Sequence, residues 1–408
     1  MLGMRGTRLA AASAAAALAM APAAGAASLP TRLGHALRVP HVTRSGAVAV
    51  DLLTGRTLFA QNADVPLAPA SNEKLTVTYA ALKELGPAYR FRTRVVASGR
   101  LDGSTWRGTL VLKGFGDPTL TTLRLQRLVN RIWRRGIRRV SGRVLGDESW
   151  FDDLRVARGW KPSFELQDSL PLSALVVDRD RYQGHVALQP ALAAAGTFRR
   201  LLRGRGIAVD GPAGVGVADP ADATLAETLS APLAAVVQQM DRVSDNFDAE
   251  LLLKDLGAEV GGGGTTADGV RVVTRDLAAA GVPLTGVRLV DGSGLSLDDR
   301  LTARSLAALL LVIWRDPQLR PVVWKALPVA GENGTLRHRM RRRPARGAVR
   351  AKTGTTDQAS ALSGYAGRRF AFAVLENGSP VSWTWARTAQ DRFATLLAAS
   401  ARGVGSAG

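Results

Sequence analysis

The chain has 408 residues, a formal net charge of +20 at pH 7 and no cysteine. Without cysteine, the protein cannot use a disulfide framework, thiolate metal ligands, a cysteine nucleophile or a thiol-linked lipid, and only four histidines remain for other chemistry. A chain of this length predicts two or three domains, and its positive field would attract anionic polymers.

The first residues have the composition of an export signal. Arg5 and Arg8 precede an alanine-rich apolar run over 9–21, and Ala24-Gly25-Ala26 forms a small-residue cleavage site. The run is shorter than the ~18 apolar residues that a membrane-spanning helix needs. We therefore predict a cleaved signal peptide over residues 1–26 and a secreted, extracytoplasmic protein, located in the cell wall or periplasmic space without a lipid anchor.

The next part of the chain has the pattern of a helix followed by a mixed α/β region. The spacing of leucine and tyrosine predicts a buried helix over 72–85. Strands between 91 and 112, a basic helix over 123–135 and a strand over 140–145 follow it. A helix over 192–203 and a link rich in glycine, proline and alanine through 222 lead to a helix that begins at Leu233. We predict that residues 95–233 form an inserted domain.

The C-terminal part predicts helices over 247–256, 269–280 and 302–315. Three neighbouring antiparallel strands over 349–352, 361–365 and 370–375 follow, closed by a helix over 385–401. The run from 337 to 350 contains seven arginines and no acid, and we interpret it as a solvated hairpin. Residues 27–94 and 234–408 would then form one discontinuous catalytic domain.

Three short motifs follow one another along the chain: Ser71-Asn72-Glu73-Lys74, Ser244-Asp245-Asn246 and Lys352-Thr353-Gly354. Each is weak alone, because the first could be a helix N-cap beside a solvated lysine, and the others a turn and an ordinary strand end. Their order and their local settings together favour a serine acyl-transfer site.

The first motif supplies a nucleophile and a base. Positions i and i+3 of a helix face the same way, so Lys74 can reach the Ser71 hydroxyl and accept its proton. Lys74 must be neutral for this, and lowering its pKa from about 10.4 to about 7 costs roughly 4 to 5 kcal/mol. Burial and a second cation, for which Lys352 is the candidate, would lower it. Ser244 would relay the proton to the leaving amine, and Asn246 would orient Lys74.

Substrate binding is assigned to the third motif and the residue after it. The side chains of Lys352, Thr353 and Thr355 would hold a terminal carboxylate, and Gly354 would leave room for a substrate backbone. The backbone N–H groups of Ser71 and Thr355 would stabilise an oxyanion, each contributing on the order of 3 to 4 kcal/mol.

Residues outside the three motifs, and the variable positions within them, have less specific assignments. Trp150, Asp152 and Asp153 could line a pocket in which a carboxylate pairs with a substrate ammonium, or they could form an ordinary surface turn. Glu73 and Asp245 occupy the variable positions of their motifs and are expected to be exposed. The proton transfers proposed for this site imply no metal and no organic cofactor.

At these residues the chain resembles the penicillin-recognising serine enzymes and, more closely, the D-alanyl-D-alanine carboxypeptidases of the penicillin-binding protein 4 type, peptidase family S13. The resemblance covers nearly all of the chain after residue 26. Besides the three motifs it includes Pro69-Ala70, Gly114-Phe115-Gly116-Asp117-Pro118-Thr119, Gly146-Asp147, Leu172-Ser173-Ala174-Leu175, Glu250, Asp291-Gly292-Ser293-Gly294-Leu295-Ser296, Gly334-Thr335-Leu336 and Ala361-Leu362-Ser363-Gly364-Tyr365. It implies an α+β fold, in which an antiparallel sheet with helices on both sides carries an inserted α/β domain.

The resemblance also implies an activity: cleavage of the terminal D-Ala from peptidoglycan stem peptides, often with an endopeptidase activity on cross-links. The reaction would pass through an acyl-enzyme on Ser71, which β-lactams would also acylate. The chain departs from the family in two places. The smaller second insertion is missing between Leu175 and Ser244, and Leu297 stands where the family commonly has arginine, which puts a preference for diaminopimelate-type stems in doubt.

Two alternatives remain open beside the exported carboxypeptidase. A serine β-lactamase would need fast deacylation by an activated water, and an inert cell-wall binding protein would keep the fold without turnover. The arginine run could attract anionic cell-wall polymers or be only a solvated surface. Export and the lack of interleaved aromatic residues argue against a nucleic-acid partner.

Overall fold

The computed structural model describes residues 27–42, 44–182 and 184–403. The predicted signal peptide lies outside the described residues. Within them, no helix combines the length and the apolar character that crossing a membrane requires.

The predicted helices and most predicted strands are present. Elements that the sequence did not predict lie before residue 70, at 164–167, at 181–182 and 185–186, within 208–229 and at 319–326. Helices of eight or more residues occupy Leu29–Ala36, Lys74–Glu84, Thr122–Arg134, Pro190–Gly204, Leu233–Val243, Asn246–Leu256, Thr266–Ala279, Ala303–Arg315, Leu319–Ala326 and Trp383–Gly403. Strands occupy Arg44–Asp51, Thr57–Gln61, Arg92–Ala97, Arg100–Asp102, Thr105–Arg107, Leu110–Gly114, Arg139–Val140, Val144–Asp147, Arg181–Tyr182, His185–Val186, Ala208–Val209, Ala213–Val215, Ala223–Leu229, Val349–Thr355, Ala359–Ala366 and Phe370–Asn377.

The main sheet has five antiparallel strands in the order 349–355, 359–366, 370–377, 44–51 and 57–61. Successive side chains of a strand point to opposite faces, and both faces of this sheet are apolar. The Ala303–Arg315 helix packs on one face, and the Trp383–Gly403 helix packs on the other. This confirms the predicted α+β fold with helices on both sides of an antiparallel sheet. The strand 349–355, which carries the third motif, lies at the edge of the sheet.

Residues between Arg92 and Leu229 form separate sheets with their own core. A five-stranded sheet has the order 213–215, 144–147, 110–114, 92–97 and 223–229, and a four-stranded sheet lies beside it. Leucines and alanines of the Thr122–Arg134 and Pro190–Gly204 helices fill the core between these elements. We call this part the inserted unit.

Three expectations in these regions were wrong in detail. The predicted strand over 140–145 is two strands in different sheets, broken at Gly142, where a Cβ atom would lie 2.4 Å from the carbonyl oxygen of Gly108. The predicted link through 222 contains two short strands that extend both sheets. The arginine run is a series of turns and not a hairpin, because Leu336 and Ala345 are drawn into the core beneath the main sheet.

Candidate active site

The first motif lies where a 3-10 turn over Ala70–Glu73 continues into the Lys74–Glu84 helix. The backbone just before the motif is strained, because Ala70 has φ 46°, in the left-handed region that alanine rarely adopts. The loop at Gly294 permits this conformation: Gly294 has φ 80°, and a Cβ atom there would lie 1.9 Å from the Ala70 carbonyl oxygen. A glycine is therefore needed for the segment that carries Ser71 to lie where it does.

Lys74 is fully buried, and three oxygens surround its amine. Lys74 Nζ lies 2.9 Å from Ser71 Oγ, 2.7 Å from Asn246 Oδ1 and 2.6 Å from the Ser293 carbonyl oxygen. A neutral amine has two N–H groups and one lone pair. The two N–H groups can be donated to Asn246 and Ser293, which accept only, and the lone pair then faces the Ser71 hydroxyl.

The environment of Lys74 favours the neutral amine. Burial lowers the pKa of Lys74 to about 8, although nearby acidic groups, of which Asp291 has the largest effect, oppose this shift. The physical cause is desolvation, which disfavours the charged form of a buried lysine. The contact and the direction of the pKa shift both agree with what the first motif predicted.

The second and third motifs meet at a second buried lysine. Lys352 Nζ lies 2.7 Å from Ser244 Oγ and donates to the Thr353 carbonyl oxygen at 3.0 Å. Ser244 has φ 63° and separates two helices, Leu233–Val243 and Asn246–Leu256. Burial lowers the pKa of Lys352 well below its ordinary value, and the charge of Lys74 lowers it further.

Residues of all three motifs open into one cavity of about 410 Å³. Its lining comprises Ser71, Ser244, Asn246, Thr353 and Thr355, together with Asp168, Leu295, Thr335, His338, Arg339 and Arg387. The structure therefore brings the predicted nucleophile, proton relay and carboxylate-binding residues together. A larger cavity of about 670 Å³, between the Leu29–Ala36 and Trp383–Gly403 helices, contains none of them.

Gly354 has a packing role that the sequence did not show. A Cβ atom at Gly354 would lie 2.8 Å from the Pro69 carbonyl oxygen and 3.0 Å from the Ala70 Cβ. The absence of a side chain lets the edge strand lie directly against the segment that carries Ser71.

The proposed side-chain pocket lies apart from this cavity. Trp150 packs edge-on against Phe115, with 5.1 Å between ring centroids. Asp152 forms an ion pair with the buried Lys254 and lines a separate cavity of about 400 Å³, while Asp153 is exposed. A substrate ammonium would have to displace Lys254 to reach Asp152, and none of the three predicted residues lines the cavity at Ser71.

Sequence reasoning missed several residues at the site. Glu73, expected to be exposed, has an exposed fraction of 0%, because the loop over 291–296 covers it. Asp245 is half-buried, caps the Asn246–Leu256 helix and pairs with Arg179. Asp168, from the inserted unit, lines the cavity, and its carbonyl oxygen accepts a hydrogen bond from Asn246 Nδ2 at 2.8 Å. No local pattern around residue 168 indicates this contact.

The fold matches that of a solved penicillin-binding protein. It superposes on the crystal structure of penicillin-binding protein 4 (dacB) from Haemophilus influenzae with a TM-score of 0.80 and 21% identity, covering 92% of this chain and 98% of that one. A structure of the same protein complexed with a novel β-lactam gives a TM-score of 0.73 at 21% identity, covering 93% and 99%.

The sequence comparison defines the family. Residues 31–190 and 185–400 match the D-Ala-D-Ala carboxypeptidase 3 (S13) family, and the chain belongs to this family. A D-alanyl-D-alanine carboxypeptidase of Actinomadura sp. is 32% identical, over 82% of this chain and 78% of the relative. The carboxypeptidase Rv3627c of Mycobacterium tuberculosis is 35% identical, over 92% and 86%. The chain is therefore a D-alanyl-D-alanine carboxypeptidase of the penicillin-binding protein 4 type.

We expect Gly294→Ala to reduce the carboxypeptidase activity strongly, because the new Cβ would displace Ala70 and with it Ser71. Gly262→Ala is the matched control: its φ is 85°, but nothing lies within 4 Å of the added Cβ. Both variants carry the same kind of backbone strain, on the order of 1 to 2 kcal/mol. Release of D-Ala from a synthetic stem peptide measures the effect, and equal loss in both variants would show that the clash is not the cause.

Proposed function

We propose that this carboxypeptidase is exported and acts on peptidoglycan stem peptides through an acyl-enzyme on Ser71. The observation that carries the proposal is the buried Lys74 amine, 2.9 Å from Ser71 Oγ. A hydroxyl becomes an effective nucleophile beside a base that can accept its proton. With its pKa lowered to about 8 by burial, Lys74 is partly neutral near neutral pH and can be that base.

The acylation step follows from these contacts. The proton of Ser71 passes to Lys74 while Oγ forms a bond to the carbonyl carbon of the penultimate D-Ala. The bond from that carbon to the nitrogen of the terminal D-Ala breaks, and the proton taken up by Lys74 passes through the Ser244 hydroxyl to that nitrogen, which leaves Lys74 neutral again. Asn246 holds the Lys74 amine throughout. Water then hydrolyses the ester and restores the Ser71 hydroxyl.

Strand register supports Thr355 as an oxyanion donor together with the Ser71 N–H. Thr356 N–H donates to the Ala359 carbonyl oxygen, so these two residues form a hydrogen-bonded pair. Such pairs alternate along an antiparallel ladder, and the neighbouring pair of Thr355 and Ser360 is not hydrogen-bonded. The Thr355 N–H therefore points away from the sheet, at the open edge of the strand beside the cavity.

Cations and hydroxyls along the same edge fit the terminal carboxylate of the substrate. Thr353 Oγ1 and Thr335 Oγ1 are 2.7 Å apart and line the cavity. Arg387 Nη2 is 3.4 Å from Thr355 Oγ1. We assign carboxylate binding to Lys352, Thr353 and Thr355, with Arg387 as an additional cation that the sequence did not predict.

The first test is covalent labelling by a fluorescent penicillin. We expect a stable adduct, seen by intact mass, that is absent in Ser71→Ala and present in Ser104→Ala, a substitution of an exposed serine in the inserted unit. Rapid loss of the adduct from the unmodified protein would support a β-lactamase instead. Labelling that persists in Ser71→Ala would contradict the assignment of the nucleophile.

The pH dependence of acylation tests the base. Lys74 accepts a proton only when neutral, so the acylation rate should rise with pH and reach half its plateau near pH 8, where the buried amine loses its proton. Lys74→Arg keeps the charge but cannot act as a base, and should lower the rate by at least about 100-fold. Lys83→Arg, on the same helix and near Asp276, is the control and should leave the profile unchanged.

We also propose that the arginine run attracts anionic cell-wall polymers toward the cavity. Five of its arginines are exposed: Arg337, Arg341, Arg342, Arg343 and Arg346. Arg339 pairs with Asp391 and lines the cavity, so the exposed cations lie near the mouth of the site.

Binding to purified wall material at increasing salt tests this proposal. Replacing Arg341, Arg342 and Arg343 by glutamine should weaken binding and flatten its salt dependence, since each lost contact to an anionic group removes counterion release. The control replaces Arg127, Arg134 and Arg135, which are exposed on the inserted unit. Unchanged binding in the first variant would contradict the proposal.

A further inference from the structure

Four carboxyl groups lie buried together behind Lys74. They belong to Glu73, Glu250, Asp291 and Asp299, and each side chain is almost inaccessible to solvent. Ionised carboxylates are costly to bury unless every oxygen finds a donor. The hydrogen bonds of each group therefore indicate which of the four carries a charge.

Asp291 has donors at both oxygens. Its Oδ1 accepts from the Gly294 N–H at 2.7 Å, and its Oδ2 accepts from Trp160 Nε1 at 2.8 Å and from the Ser296 N–H at 2.7 Å. The Ser293 hydroxyl adds a longer bond to Oδ2 at 3.2 Å. An ionised carboxylate only accepts hydrogen bonds, and this is the environment that such a group requires.

The other three groups have donors at one oxygen only. Glu250 Oε1 accepts from the Gly292 and Ser293 N–H groups at 3.1 and 2.8 Å. Asp299 Oδ1 accepts from the Val290 N–H at 2.7 Å, and Glu73 Oε1 from the Thr76 hydroxyl at 3.1 Å. The second oxygen of each group is buried without a partner. A protonated oxygen is a donor and can share its hydrogen with a neighbouring carboxyl group, whereas an ionised oxygen there would stay unsatisfied.

We propose that Asp291 is the single carboxylate of this group, that Glu73, Glu250 and Asp299 are neutral carboxylic acids, and that this one charge sets the proton affinity of Lys74. The proposal rests on Lys74 acting as the base. Glu250 and Asp291 are positioning residues here: they hold the loop over 291–296 by its N–H groups, and the Ser293 carbonyl oxygen of that loop accepts from Lys74 at 2.6 Å.

Electrostatics support this distribution of protons. Burial and the neighbouring Asp291 charge raise the pKa of Glu250 to about 8. The same two causes raise the pKa of Glu73 and of Asp299 well above the ordinary range. Four ionised carboxylates would hold Lys74 firmly as an ammonium, and a single one leaves the amine able to lose its proton.

Other charges also face Lys74. Asp241 lies behind it, where it accepts a hydrogen bond from the Thr78 hydroxyl at 2.9 Å, and its pKa is raised to about 6 by burial. Asp245 contributes a further negative field, and on the other side lies Lys352, whose own pKa is lowered by burial and by the charge of Lys74. None of these three residues is one of the four carboxyl groups described above. Their effect on the pKa of Lys74 is therefore the same in all the variants below.

The variants follow from the proposed charges. Asparagine has the shape of the neutral acid, and the pKa of Asp299 lies well above its ordinary range, so Asp299→Asn should leave the pH midpoint of acylation unchanged. Asp291→Asn removes the charge, and should move the midpoint to lower pH by about one unit. A midpoint that also moves to lower pH in Asp299→Asn would overturn the proposal, because that group would then have been ionised.

Infrared spectroscopy of the whole protein detects protonated carboxyl groups directly and does not depend on enzyme activity. At pH 7, Glu250→Gln and Asp299→Asn should each remove one band of a buried protonated carboxyl group, and Asp291→Asn should remove none. If neither conservative variant loses a band, the proposal fails whatever Lys74 does. If the bands are lost but Lys74→Arg retains full acylation, then Lys74 is not the base. The proposed protonation states of the four carboxyl groups would still hold. Should Asp291→Asn not fold, the other two variants still decide.

Discussion

The Lys74 amine, held by an oxygen of its own helical turn and by oxygens of two segments distant in sequence, is the arrangement on which the rest of the structure depends. Ser71, Asn246 and Ser293 surround it without a direct ionic partner. An amine removed from water loses its hydration, and the fold must replace every lost hydrogen bond. The main chain is in the left-handed region beside each of these segments, with φ of 46° at Ala70, 63° at Ser244 and 80° at Gly294, and only the glycine adopts it without strain. Strain of this kind persists only where the surrounding structure fixes it.

A second buried lysine gives the site its electrostatic character. Burial lowers the pKa of both Lys74 and Lys352, and the charge of Lys74 lowers the pKa of Lys352 further. The acidic side chains packed behind them limit this effect. The balance between burial, a like charge and a nearby carboxylate determines whether an amine at this place can both accept and return a proton.

The sequence predicted the parts of the site that follow from local geometry. The contact of Ser71 with Lys74 follows from helical spacing, and the strands of the main sheet follow from alternating apolar residues. Contacts that join distant segments could not be predicted. Glu73 is buried only because the loop over 291–296 lies on it, and Asp152 is neutralised by Lys254, which occupies a separate helix. The glycine-rich composition of the link through 222 also led to a wrong prediction of irregular structure. Its short strands form only because neighbouring strands pair with them.

The amide of Asn246 is held from both sides. Its oxygen accepts from Lys74, and its nitrogen donates to the carbonyl oxygen of Asp168 in the inserted unit. The oxygen and the nitrogen of an amide side chain have nearly the same shape. Its orientation is therefore fixed only by a hydrogen-bond donor at the oxygen and an acceptor at the nitrogen. The inserted unit therefore does more than add surface to the enzyme: it fixes which end of Asn246 faces Lys74. The rest of the chain, expressed without the inserted unit, would keep all three motifs yet lose the partner that prevents this amide from turning over.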